Sequence, residues 1–276
     1  MKVAFTHPHD DHIHGAESFF YFDHAKKYQD GSRVKIGELW VPADFITGKD
    51  LPDEALPIRD EARYRLLEGY GIRVFSRPDA LIDWLEKQDL TLEDRKKYIV
   101  DAGQNVPSFS FDYDELEVFV HSPFAFRQEE NLEDRNSCSI VVQMTFLVKR
   151  EATRVILSGD STYERWIDIV NITKGHCREE KLAWDVFKLP HHCSYQSLGP
   201  EKGKDKTEPV EEVQEFHGMG QKRGIVISSS ETIPAEDTDQ PPHRQAANCY
   251  IELCEQIDGK FKVTMEHPLK NLLSLW

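Results

Sequence analysis

Five cysteines in 276 residues (Cys138, Cys177, Cys193, Cys249 and Cys254) are odd in number and lack the close spacing of a zinc knuckle. They exclude a disulfide framework and a thiolate metal finger, and reduced thiols fit a cytoplasmic protein. Long apolar runs are also missing: none approaches the roughly 20 residues that cross a bilayer, so no membrane partner is expected. No charged start leads into an apolar stretch, which argues against a cleaved secretory signal. Positive charge is scarce. Thirty-four Lys and Arg face 49 Asp and Glu, a net charge of −15. Such a chain does not hold nucleic acid by bulk electrostatics, which disfavours that partner. The remaining candidate for a phosphate-tracking groove is a local basic group: Lys202, Lys204, Lys206, Lys222 and Arg223. Internal repeats and low-complexity segments are absent as well.

What is present is an ordinary core-forming composition, with 39% hydrophobic and 30% charged residues. The chain reads as one domain over 1–276, with surface loops at 126–136 and 198–208. Val3–Phe5 reads as a strand running into a histidine-rich loop, and a helix is expected over about 16–28. A strand is expected at 33–41 and helices at 54–69 and 78–87, the second spaced by Leu81, Trp84 and Leu85. Strands follow near 115–121, 139–148 and 153–158, then a helix at about 162–171. Residues 184–189 and 224–229 are buried-type strands, 243–257 a helix and 260–266 a last strand. Interleaved strands and helices place the chain in the α/β (α+β) class with layered sheets.

Four metal-ligand side chains lie within six residues: His7, His9, Asp11 and His12. Imidazole and carboxylate hold zinc, manganese or iron without thiolates. At a strand end His7 and His9 point the same way, because side chains alternate with period two. After the turn, Asp11 and His12 address a second position. One loop thus serves two metals about 3.5–4 Å apart, the spacing used in metal-assisted hydrolysis.

His7-Pro8-His9-Asp10-Asp11-His12, with Thr6 before it and Gly15 after it, resembles the signature of the metallo-β-lactamase superfamily. Asn136-Ser137-Cys138-Ser139-Ile140-Val141, Val155–Asp160 with its Gly-Asp end, Trp184–Ser194 with its Pro-His-His, and Ile227-Ser228 followed by Pro242-His243 resemble, in order, segments of the branch related to ComEC-type DNA-internalisation proteins. The resemblance implies a four-layer αββα sandwich and two divalent metal ions, Zn2+ first and Mn2+ second. It implies His7 and His9 on the first metal, Asp11 and His12 on the second, and Asp160 bridging both. Asp160 also suits a helix N-cap. Of His191 and His192, one is implied as a ligand or as proton donor to the leaving group. His191 is preferred as the ligand, and spacing does not separate the two. His121 is the candidate for a further ligand, and His243 for a substrate contact or an acid group, although it also stands at the start of a helix. Cys193 replaces the usual Gly after His-His. Family members carry several strands before the first motif. Here it begins at His7, so the chain is expected to lack its first N-terminal strands. His14 reads as an outer or solvated ring, and His24, His176, His217 and His267 read as surface residues.

The activity implied is metal-dependent hydrolysis by a water bridging two metals. Asp11 would orient that water and accept its proton, and His191 or His192 would assist the leaving group. The substrate implied by the branch is a phosphodiester. Two alternatives stand beside it: hydrolysis of a small ester, lactone or lactam, and a degenerate metal-binding domain without catalysis.

Overall fold

Short runs of Val, Ile, Leu and aromatic residues build two main sheets, each of them wholly or mostly parallel, with helices between the strands in sequence. The structure is a computed structural model and describes residues 1–125 and 135–266. The expected loop at 126–136, but for its last two residues, and His267 lie outside the described residues. The architecture is mixed α/β. No helix among the described residues is long and apolar enough to cross a membrane. The chain divides into two units, residues 1–104 with 120–140 and residues 105–119 with 141–276.

In the first unit the strands are β1 (Lys2–Ala4), β2 (Phe20–Tyr21), β3 (Val34–Lys35), β4 (Glu38–Pro42), β5 (Ile72–Phe75) and β6 (Ile99–Val100). Four of them form a parallel sheet in the order β1-β4-β5-β6, with Val3 opposite Leu39 and Leu39 opposite Ile72. Leu39, Val41, Ile72 and Val74 are buried in a core shared with Ile58, Ala62 and Leu66, set at four-residue intervals along the helix Leu56–Glu68. The same helix buries an ion pair one turn apart, Arg65 Nε donating to Glu61 Oε1 at 2.5 Å. Glu61 also meets His24 Nδ1 at 3.0 Å, and Arg65 reaches Asp23 Oδ2 at 2.9 Å and the Ile36 carbonyl at 3.0 Å.

The helix expected over 16–28 is not formed. A single turn, Ala16–Phe19, gives way to β2 and then to the 3-10 turn Lys26–Tyr28. The run Phe19-Phe20-Tyr21-Phe22 favours extended backbone. Arg33 Nη1 also bonds the Phe20 carbonyl at 3.3 Å, a carbonyl that a continuing helix would have used.

The second sheet has the order β12-β11-β10-β9-β8-β7. Its strands are β7 (Leu116–Ser122, of which 116–119 fall in this unit), β8 (Val141–Val148), β9 (Glu151–Leu157), β10 (Trp184–Lys188), β11 (Gly220–Ser228) and β12 (Lys260–Val263). β8 and β9 form an antiparallel hairpin, and β9, β10, β11 and β12 run parallel. Ile156, Phe187 and Val226 share a row across the sheet and are buried. The helix Tyr163–Gly175 buries Trp166, Ile169, Val170 and Thr173, the three-and-four spacing of an apolar stripe. Trp166 packs on Phe216 at 4.4 Å and on Phe187 at 5.5 Å. The helix Glu211–Gly218, which supplies Phe216, was not anticipated from the sequence, whereas Arg244–Gln256 falls where a helix was expected.

Candidate functional site

In the first unit the histidine loop follows the C-terminal end of β1. Phe5 N–H donates to the Trp40 carbonyl at 3.0 Å and Ile140 N–H to the Thr6 carbonyl at 3.0 Å, so the backbone is tied on both sides where the motif begins. His9 caps the one-turn helix Asp10–Ile13, which brings His12 back over His7. The ring centroids of His7 lie 4.8 Å from His9 and 4.2 Å from His12. His7 is fully buried, His12 half-buried and Asp11 exposed. Thr6 Oγ1 stands 3.0 Å from His7 Nδ1 and 3.5 Å from His12 Nδ1, while His12 Nε2 stands 3.5 Å from Asp11 Oδ2.

In the second unit two loops leave the C-terminal ends of neighbouring parallel strands. After β9, Gly159 takes a φ of 51°, a left-handed turn that glycine adopts freely, and Ser161 Oγ closes the turn on the Ser158 carbonyl at 2.9 Å. Asp160 is thereby buried at the strand end. After β10, His191, His192 and Cys193 have φ values of 46°, 51° and 69°. Three consecutive left-handed residues other than glycine store strain, which persists only where the surroundings over-determine it. Here they do. His191 N–H donates to the Gly159 carbonyl at 3.2 Å, and His243 N–H to the Cys193 carbonyl at 3.1 Å. His192 Nδ1 lies 2.7 Å from the Ser229 carbonyl. A carbonyl only accepts, so Nδ1 carries the proton and the neutral ring has its lone pair on Nε2. That nitrogen stands 3.7 Å from Asp160 Oδ2.

Each unit therefore contains a His–Asp pair with the imidazole Nε2 turned to a carboxylate oxygen, at 3.5 Å and 3.7 Å, and in the second unit Nδ1 is anchored on a carbonyl. The 3.7 Å separation exceeds a good hydrogen bond, and 3.5 Å lies at its outer limit. Two ligand atoms sharing one tetrahedral zinc at about 2.0–2.1 Å stand roughly 3.3–3.5 Å apart. At His192 the carbonyl-bound Nδ1–H leaves the Nε2 lone pair facing a carboxylate, an arrangement that a cation between them stabilises, and such an anchored Nδ1–H is the support that metal-bound histidines receive. The donor set fits a divalent cation held by nitrogen and oxygen.

His192 is the ring that faces Asp160, so the geometry favours it over His191 as the ligand of that pair. His121 is buried on β7 and lies outside both pairs. His243 is buried as the N-cap of Arg244–Gln256. Its Nδ1 accepts from Tyr195 N–H at 3.4 Å, and burial holds its pKa below the ordinary value. Burial pushes the thiol of Cys193 far up, which suits an inert packed residue. His14 is solvated and meets Glu54 at 3.0 Å.

His217 corrects the sequence reading: it is buried, because the unanticipated helix Glu211–Gly218 turns it toward Phe187 and Tyr250. Of the basic group, Lys202 pairs with Asp237 at 3.0 Å, Lys206 with Glu252 at 2.8 Å and Lys222 with Asp258 at 3.2 Å. The anchors Thr6 and Ser229 were not given roles from sequence. Thr6 was signalled only by adjacency to the motif, and Ser229 acts through its backbone, which no residue type encodes.

No family model matches the chain, and no curated protein or solved structure matches it.

Proposed function

We propose that the chain is a metal-dependent hydrolase of the metallo-β-lactamase superfamily, with the four-layer αββα fold, acting on a phosphodiester. The observation that carries this reading is the His–Asp construction repeated in the two units: His12 with Asp11, and His192 with Asp160. His7 and His9 would hold a first cation and Asp11 and His12 a second in the first unit, and Asp160 with His192 would supply the ligands of the second unit. Two such cations, zinc or manganese, acidify a water and stabilise developing negative charge.

The chain's own residues supply the rest. Asp11, exposed and beside His12, orients the attacking water and takes its proton. Asp160, buried at the end of β9, would be held deprotonated by a bound cation. His191, on the same strained loop as His192, donates a proton to the departing oxygen. The substrate is small rather than polymeric, because three of the five candidate cations are already neutralised by carboxylates and do not track a phosphate backbone. Five cysteines outside any disulfide support a cytoplasmic setting.

The test is elemental analysis of protein purified without chelator, joined to turnover of bis-p-nitrophenyl phosphate. About two equivalents of zinc or manganese are expected. His9→Ala is expected to lose metal, and Asp160→Ala to lose turnover by about 100-fold or more. A folded, monodisperse sample that neither carries nor takes up metal would overturn the reading. So would a folded Asp160→Ala variant with full metal-dependent turnover.

A further inference from the structure

Thr6 sits between the two rings that the proposed function assigns to different metals, and the role inferred for it rests on that assignment. Its backbone has little freedom, with the preceding amide bonded to Trp40 and its own carbonyl to Ile140. Its side chain is half-buried and places Oγ1 3.0 Å from His7 Nδ1 and 3.5 Å from His12 Nδ1. An imidazole that binds a metal through Nε2 must carry its proton on Nδ1, and that N–H needs an acceptor. A hydroxyl oxygen has two lone pairs, enough for two such donors.

We infer that Thr6 is a positioning residue shared by both metal positions, its one oxygen accepting the Nδ1–H of His7 and of His12. The alternative arrangement, in which the hydroxyl donates to one ring, puts that ring's proton on Nε2 and removes it as a ligand. Both rings serve only when both donate. The hydroxyl thus selects the binding tautomer of two histidines at once. His7 is fully buried and its ring lies 4.2 Å from that of His12, so neither ring reorients alone. Loss of the hydroxyl then weakens both metal positions together rather than one.

Competitive zinc titration of the full chain against a chromophoric chelator tests this. Thr6→Val, nearly isosteric but without an acceptor, is expected to weaken both binding steps by about 10–100-fold. Thr6→Ser, which keeps the oxygen, is expected to restore both. A Thr6→Val protein whose affinities match wild type, or in which only one step weakens, overturns the inference while leaving the metal-centre reading intact. Wild type that binds no zinc overturns both. Should Thr6→Val fail to fold, long-range 1H–15N spectra of zinc-loaded wild type decide the matter. Nδ1 protonation is expected in both His7 and His12, and an Nε2 proton on either ring refutes the shared-acceptor arrangement.

Discussion

His217 gives the second unit a pH dependence that can be worked out from its surroundings. Its ring lies 5.2 Å from Tyr250, 5.3 Å from Phe187, 5.5 Å from Phe216 and 6.2 Å from Trp184, centroid to centroid. Removal from water among these aromatic rings lowers its pKa from 6.5 to about 3. A depressed pKa means that the unfolded chain binds the proton more readily than the folded one. The stabilising contribution is therefore complete above about pH 6.5 and is lost as the pH falls through that value toward 3. At pH 4 the unfolded histidine is almost fully protonated and the folded one mostly neutral. The difference spans about 2.5 pH units, or about 3 kcal/mol. That is a large share of the roughly 5–15 kcal/mol that holds a typical domain together. His217→Phe keeps an aromatic ring and removes the titration. In urea unfolding followed by the fluorescence of Trp166 and Trp184, at constant ionic strength and with chelator present, the variant differs from wild type at pH 8 by packing alone. Between pH 8 and pH 4 it gains about 3 kcal/mol relative to wild type. Parallel stability curves for the two proteins across that range would refute the buried, neutral histidine.

The Glu61–Arg65 pair should be costly to break from one side only. Arg65→Met leaves a buried carboxylate and is expected to cost about 3–5 kcal/mol in urea unfolding, whereas Glu61→Leu with Arg65→Met recovers most of that loss. Burial raises the Glu61 pKa, but hydrogen bonds from His24 and Arg65 outweigh it and hold the pKa below 4.5. This stabilisation is accordingly present above pH 4.5 and disappears as the pH falls through the folded pKa, which a proton-linked unfolding series reads directly. At Cys193, φ of 69° excludes a β-branched side chain. Cys193→Val should destabilise by about 2 kcal/mol or more, against under about 1 kcal/mol for Cys193→Gly, compared by thermal unfolding. Equal losses in the two variants would mean that the thiol's packing, not the backbone, sets the residue.

Legibility from sequence followed the range over which each feature is encoded. The histidine motif lies within six residues, so a strand end followed by one turn was enough to gather its rings, with His7 4.8 Å from His9 and 4.2 Å from His12. The helices at 56–68, 79–86 and 244–256 carry their apolar spacing in their own residues and fall where that spacing puts them. Residues 16–28 were misread because their helical content is overruled by an aromatic run and by Arg33, which reaches the Phe20 carbonyl from thirteen positions away. His217 looked like a surface residue because its stretch of sequence, Phe216 and Met219 apart, is mostly polar. Its neighbours in space, Phe187 and Tyr250, come from β10 and from the helix Arg244–Gln256. His191 and His192 were inseparable for a related reason. What distinguishes them is the Ser229 carbonyl, 37 positions further along the chain.

The loops that carry the proposed ligands of the second unit share a cause in the direction of the strands. β9, β10 and β11 are parallel, so the turns after Leu157, Lys188 and Ser228 emerge at one edge of the second sheet. In open α/β sheets that edge is where ligands gather. Parallel pairing brings Gly159, His191 and Ser229 within reach of one another, although long helices separate them in sequence. The strained left-handed run at 191–193 is held by main-chain atoms from the turns after β9 and β11 and from the start of the helix Arg244–Gln256. Substituting the side chains around it should therefore perturb His192 less than shifting β11 by one residue would. Deleting Ile227, in the part of β11 paired with both β10 and β12, tests this point, because the irregular stretch before Ile225 would absorb a deletion made there. It leaves every proposed ligand in place while moving the Ser229 carbonyl, and the expected result is a loss of zinc affinity comparable to that of His192→Ala. Retained affinity would show that the imidazole is oriented by some other group.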